Sequence, residues 1–265
     1  DLNPQLNHLT IKSFANLITF YRKGFIYTCL LVFSVASNAQ LLNETQWFFG
    51  SSTANLQFDK NGLLVYQENR MNPNFGSGGP AVINHSLTGN LMLYTDGVRI
   101  YDGSGEIMSG AVDLNGDASV NQTALACPSP DDADRYIVFT NASELSAKDE
   151  LQYSIVDLSA PGNGSLDAPL GEVVSNNNSV GLFSPAEGMT VVQSTTNPSL
   201  SWLIAQNRGT YTFYVYNITN DGVDQEPISI LYPFTTDIRE FEAANMSMNP
   251  DSSILAIAPK TGLRN

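Results

Sequence analysis

Hydrophobic and polar positions along this chain alternate in short runs, and each run is closed by Gly, Asn, Asp or Pro. From Gln40 onward no 12-residue stretch repeats apolar positions with the period of a helix, whereas β-branched and aromatic residues recur in strand-length groups. The pattern predicts strands over 90–95, 98–101, 135–140, 152–158, 201–205, 210–218, 227–232 and 253–258. The run 210–218 carries Tyr211 and Phe213 on one face and Tyr214 and Tyr216 on the other. Aromatics on both faces predict an inner strand covered on both sides. The predicted fold class is all-β.

The predicted strands repeat. Leu91, Tyr136, Trp202 and Ile254 begin similar apolar runs, with separations of 45, 66 and 52 residues. The first three runs are followed by a second, Val98–Asp102, Tyr153–Asp157 or Phe213–Asn217, that closes on Asp or Asn and then a glycine-bearing turn. Units of four short strands every 40 to 50 residues or so are what β-propeller blades require. The alternative is a tandem pair of β-sandwiches, which also needs frequent turns. Asp96, Asp102, Asp157, Asn217 and Asp251 are predicted to be structural turn residues that bond local backbone, and Gly97 to supply a positive φ. Asn249-Pro250-Asp251 marks the turn of a further strand pair.

The first 39 residues read differently. Arg22-Lys23 precede the apolar run Phe25–Val35, and Ala36-Ser37-Asn38-Ala39 places small residues at −3 and −1 of a cut after Ala39. This is the form of a secretory signal peptide, and 11 apolar residues are short for a membrane span of about 20. The expected organisation is a leader over 1–39 and one β-propeller-like domain over 40–265, exported, with no membrane span in the mature chain. The first Met is Met71, so the translation start is not visible.

Charge narrows the partners. The chain holds 12 Lys+Arg against 26 Asp+Glu, a net charge of −14, and removing residues 1–39 leaves 25 acids against 9 bases. Such a surface repels a phosphate backbone, which excludes nucleic acid. Hydrophobic content of 42% supports a folded core, unlike an acidic disordered chain.

Candidate chemistry is sparse. His85 and Cys127 are the one imidazole and the one thiol after residue 39; His85 reads as a structural histidine at a strand end, Cys127 as a buried thiol in a strand. No G-x-S-x-G elbow accompanies His85. No cofactor is expected beyond weak calcium, for which Asp113, Asn115 and Asp117 in one loop and Asp131, Asp132 and Asp134 in another are the candidate ligands. A full EF-hand loop counted from Asp113 would need Glu where Ala124 stands, so any site would borrow ligands from elsewhere. Solvated turns are the ordinary reading of both loops. Asp96 is the acid most open to a catalytic reading, against its plainer role in a turn.

Particular blocks resemble a known family. Gln46-Trp47-Phe48-Phe49-Gly50 resembles its aromatic-aromatic-Gly opening, and Gly89–Val98 resembles its G-N-L-L-F-Y-T-D-G-V strand and turn. Tyr153–Leu158 is similar to Y-S-I-V-D-M, and Asn249–Ala256 to S-P-D-G-x-x-L-A with Ser252 in place of the glycine. The family is the β-propeller-like N-terminal region of large secreted Bacteroidetes proteins that carry gliding-motility-associated or type IX secretion sorting domains. The resemblance implies a non-catalytic cell-surface or secreted interaction module, an adhesin or gliding-associated protein. Its partners would be the secretion machinery and a protein or glycan ligand. At about 45 residues per blade, 226 residues make about five blades, and the expectation is a propeller cut short near Pro259. The rival is a carboxylate-dependent glycan hydrolase with its site in a propeller channel, which needs two facing acids.

Overall fold

Every regular element among the described residues is a strand. The computed structural model describes residues 46–49, 54–58, 64–68, 78–111, 113–130, 132–142, 149–208, 210, 212–231, 244–249 and 252–259. Residues 1–39, expected to form a leader, and the candidate residues Asp131 and Asp251 lie outside them. Sheet I holds β1 (Gln46–Phe48), β2 (Ala54–Phe58) and β3 (Leu64–Glu68), and sheet II holds β4 (Ala81–Asn84), β5 (Leu91–Thr95) and β6 (Ile100–Asp102). Sheet III holds β7 (Ala124–Ser129), β8 (Asp132–Thr140), β9 (Glu150–Asp157) and β10 (Glu172–Phe183). Sheet IV holds β11 (Pro185–Gln193), β12 (Ser201–Asn207), β13 (Thr212–Thr219), β14 (Gly222–Val223) and β15 (Ile228–Leu231). Sheet V holds β16 (Ala244–Met248) and β17 (Leu255–Pro259).

Each sheet is an antiparallel meander of consecutive strands, with β14 and β15 sharing the outer edge of β13. The first strand of each sheet meets the first strand of the next: β1 touches β4, β4 touches β7, β7 touches β11 and β11 touches β16. Sheets pack face to face in the same succession. Phe48 joins Tyr94 and Tyr101 between sheets I and II, with Tyr94 and Tyr101 stacked at 4.8 Å. Leu93 and Ile100 of sheet II meet Val138 and Val156 of sheet III. On the opposite face of sheet III, Ile137, Phe139 and Leu151 meet Met189, Leu203 and Tyr216 of sheet IV. Alternation along β8 therefore sends successive side chains into two different cores. Sheet III is buried on both faces.

The repeat read from the sequence falls on equivalent places. Leu91, Tyr136 and Trp202 lie in β5, β8 and β12, the second strands of their sheets, and Ile254 immediately precedes β17. Asp102, Asp157 and Asn217 lie at or near the ends of the third strands β6, β9 and β13. β13 runs between β12 and β15, as an inner strand should. Two corrections concern strands. The predicted run 98–101 is displaced to Ile100–Asp102, because Asp96 Oδ1 holds the N–H groups of Val98 and Arg99 in a turn. The long strands β10 and β11, consecutive in the chain but in different sheets, were not predicted from period two. β10 contains Ser175-Asn176-Asn177-Asn178-Ser179, shifts register at three places and has φ +50° at Asn177. β11 includes Pro185, Glu187 and Gly188 and is held by tertiary contacts rather than propensity.

Candidate functional site

Of the predicted turn residues, Asp96, Asp102 and Asp157 accept N–H groups of the turns that follow them through their side chains. Asp96 Oδ1 accepts the N–H groups of Val98 and Arg99, each at 3.0 Å, and Gly97 has φ +82°. A Cβ on Gly97 would stand 2.9 Å from the Thr123 carbonyl oxygen. Asp102 Oδ1 accepts the Ser104 N–H at 2.8 Å and its Oγ at 2.5 Å, and its Oδ2 accepts Asn163 Nδ2 at 2.8 Å. Asp157 does the same with Ser159 and Asp117 with Ser119. The Asp-x-Ser spacing is a usable sequence signal, since the hydroxyl two residues on doubles the bond made by the backbone. Asn217 is different: its carbonyl, not its amide, accepts the Asp224 N–H at 2.9 Å.

The calcium candidates are spread among other partners. Asp117 serves its own turn, Asn115 donates its amide to Gln152 Oε1 at 2.7 Å, and the Asp113 carbonyl accepts from Asn177 Nδ2 at 3.2 Å. Asp132 accepts the Asp134 N–H at 3.1 Å and sits 3.6 Å from Arg135 Nε. Among the described residues no three His, Cys, Asp or Glu side chains gather as a metal site.

Two cavities are lined in part by polar groups. The first, about 330 Å³, opens between β4, β7 and β16, lined by Gly79, Val82, Asn121, Gln122, Asn245 and Met246 among others. Its wall is braced by amides. Gln122 Nε2 donates to the Met189 carbonyl at 2.6 Å, while Gln122 Oε1 accepts the N–H of Met189 at 3.0 Å and of Met246 at 3.4 Å. β11 is the edge strand of sheet IV, so no strand is paired to its outward N–H and C=O at Met189, although β16 lies beside it. The Gln122 side chain supplies a surrogate peptide group to that edge. Asn121 gives its N–H and its Nδ2 to Glu187 Oε2, and Asn141 Nδ2 donates to the carbonyls of Ala186 and Glu187. Sequence reasoning missed Asn121, Gln122 and Glu187, because polar residues just before a strand look like a solvated turn and Glu187 lies in β11, a strand that the sequence pattern did not reveal.

The second cavity, about 370 Å³, lies between sheets II and III. Its polar groups are His85, Thr88, Asn90 and Asp134. His85 follows β4, and its Nδ1 accepts the N–H groups of Leu87 at 3.2 Å and Thr88 at 3.3 Å. Those two bonds place the neutral ring's proton on Nε2, the edge turned away from the 85–89 turn. Cys127 is buried in β7, and burial pushes its thiol up to about 12. A thiol so held is inert at neutral pH. Burial, with Asp134 and Cys127 adding to it, also raises the Tyr136 phenol.

Comparison with family models, curated proteins and solved structures gives no match. The functional reading therefore rests on the geometry above and on the sequence. No helix among the described residues is long and apolar enough to cross a membrane.

Proposed function

We propose that the chain is a non-catalytic, exported interaction module built as a β-propeller. The observation that carries this reading is the succession of first strands, β1 to β4 to β7 to β11 to β16, each against the next, with a cavity between β4, β7 and β16. Four-stranded meanders arranged with their first strands innermost are the propeller plan. The two buried faces of sheet III favour it over tandem sandwiches, in which each sheet buries one face and wets the other. The non-catalytic reading draws support from the cavity lining, which among the described residues is amides, glycine, proline and aliphatic or thioether side chains. Glu187, the acid adjoining it through Asn121, spends Oε2 on that residue, whereas hydrolysis of a glycan needs two acids about 5 to 10 Å apart.

Export follows from the leader, and the adhesin or gliding role and the type IX route follow from the family resemblance. Two measurements test the proposal. Material secreted by cells expressing the full chain is expected to begin at Gln40 by N-terminal mass spectrometry; retention of residues 25–39 would refute export. Incubation with a panel of polysaccharides is expected to release no reducing ends. Release that disappears in Glu187→Gln would establish the hydrolase instead.

A further inference from the structure

We infer that the cavity between sheets II and III is a socket for a lysine or arginine side chain presented by a basic segment of a partner protein. The inference rests on the interaction-module reading and names the chemistry that one of its surfaces selects. The cavity combines an aliphatic wall, including Leu91, Leu158, Pro169 and Leu170, with the carboxylate of Asp134. Leu158 is buried, Leu91 and Leu170 are half-buried, and Asp134 is exposed. Asp134 makes no side-chain hydrogen bond or ion pair among the described residues, in contrast to Asp96, Asp102, Asp117, Asp132 and Asp157, which are all engaged locally. Its charge is therefore free for a ligand.

The surrounding charge has the same sign. Asp102 and Asp157 adjoin the lining residues Gly103 and Leu158, and Asp132 lies two residues from Asp134. The nearby cation, Arg135, is shared between Asp132 at 3.6 Å and Asp157 at 3.9 Å. A chain of net charge −14 steers cations toward such a mouth and repels anions. No Phe, Tyr or Trp ring lines the cavity, so it offers no broad stacking platform to a flat ligand, whereas the methylene stem of Lys or Arg packs on aliphatic surface with its charged head at the polar end. The volume, near the lower end of the range of about 300 to 1,000 Å³ for ligand pockets, suits one side chain rather than a folded surface.

The test is fluorescence anisotropy of the full chain with a labelled hexalysine peptide, and with the same peptide acetylated on every Nε. Saturable binding of hexalysine and none of the acetylated form is expected. Asp134→Asn should weaken binding about tenfold, Leu170→Ala should weaken it less, and Asp221→Asn should leave it unchanged. Asp221 is an exposed acid of the β13–β14 turn, so its variant removes the same charge from another place. Unchanged melting temperatures would show that each variant is folded. Equal weakening by Asp134→Asn and Asp221→Asn would mean diffuse attraction and overturn the socket. Absence of saturable binding would overturn it too, while leaving the interaction-module reading to its own tests. Cleavage of the peptide, lost in Asp134→Asn, would support the socket and refute the non-catalytic reading.

Discussion

Gln122→Leu removes the side chain that joins three sheets. The substitution keeps an apolar stem of similar bulk and deletes the amide. Met189, only 1% exposed, then loses partners for both its N–H and its C=O, and Met246, 6% exposed, loses the longer 3.4 Å bond to its N–H. A buried backbone group left without a partner costs about 1 to 3 kcal/mol. Two such groups, with part of the loss returned by the new leucine methyls, give an expected destabilisation of about 2 to 4 kcal/mol. For a chain of this size that lowers the melting temperature by about 4 to 16 °C. Equilibrium urea unfolding followed by tryptophan fluorescence reads the same change, with Trp202 in β12 as a nearby reporter. Gln122→Glu retains the acceptor but sets a carboxylate against the Met189 carbonyl, and should be no more stable than Gln122→Leu. A Gln122→Leu protein within 0.5 kcal/mol or so of the parent, the scatter of surface substitutions, would refute the surrogate-strand role.

Other outcomes follow from single positions. Gly97→Val should cost more than about 1 kcal/mol, because φ +82° and the Thr123 carbonyl at 2.9 Å both oppose a branched side chain, while Asp96→Asn, which retains the Oδ1 acceptor, should be mild; urea unfolding of the pair checks both. Cys127 keeps its proton in the folded state up to about 12 but loses it above an ordinary 9.0 when unfolded, so stability present below pH 9 should fall by about 1.4 kcal/mol per pH unit across that window. Cys127→Ala should flatten the fall, and equal alkaline slopes for the two proteins would contradict it. Arg208 bonds Asp149 through both terminal nitrogens, at 3.3 and 3.0 Å, and the Pro185 carbonyl at 3.2 Å, with both side chains partly exposed; Arg208→Lys should lose about 1 kcal/mol, measured by thermal melting at low and high salt.

What the sequence made legible was the part of the fold determined locally. The second and third strands of sheets II, III and IV carry the apolar pattern themselves, and the Asp-ended turns of sheets II and III carry their own hydrogen-bond acceptors, so both were visible without knowing any neighbour. β10 was illegible for the opposite reason. Its Asn176 and Asn177 amides bond the carbonyls of Gly110 and Asp113, more than sixty residues away, and its bulges break the period by which a strand is recognised.

The same distinction explains why the candidate sites were missed while the turns were not. An Asp that bonds its own backbone announces itself through a Gly one residue later or a Ser two residues later. Asn121, Gln122 and Asn141 act on β11, across 45 to 67 residues of chain, and no local pattern distinguishes such amides from solvated ones. Their identity is nevertheless constrained. An edge strand presents both N–H and C=O groups to whatever faces it, and among uncharged side chains the amide of Asn or Gln offers a donor and an acceptor with the spacing of a peptide unit. Hydroxyls are too short, and charged groups satisfy one kind of partner at the cost of burying charge. Where first strands converge around a cavity, an Asn-Gln pair just before a strand is therefore the sequence form of an edge that has been closed by side chains. That reasoning places the functional opportunity elsewhere. The amides between β7 and β11 are committed to holding sheets together, whereas Asp134, between sheets II and III, is the lining acid whose charge the fold leaves unspent.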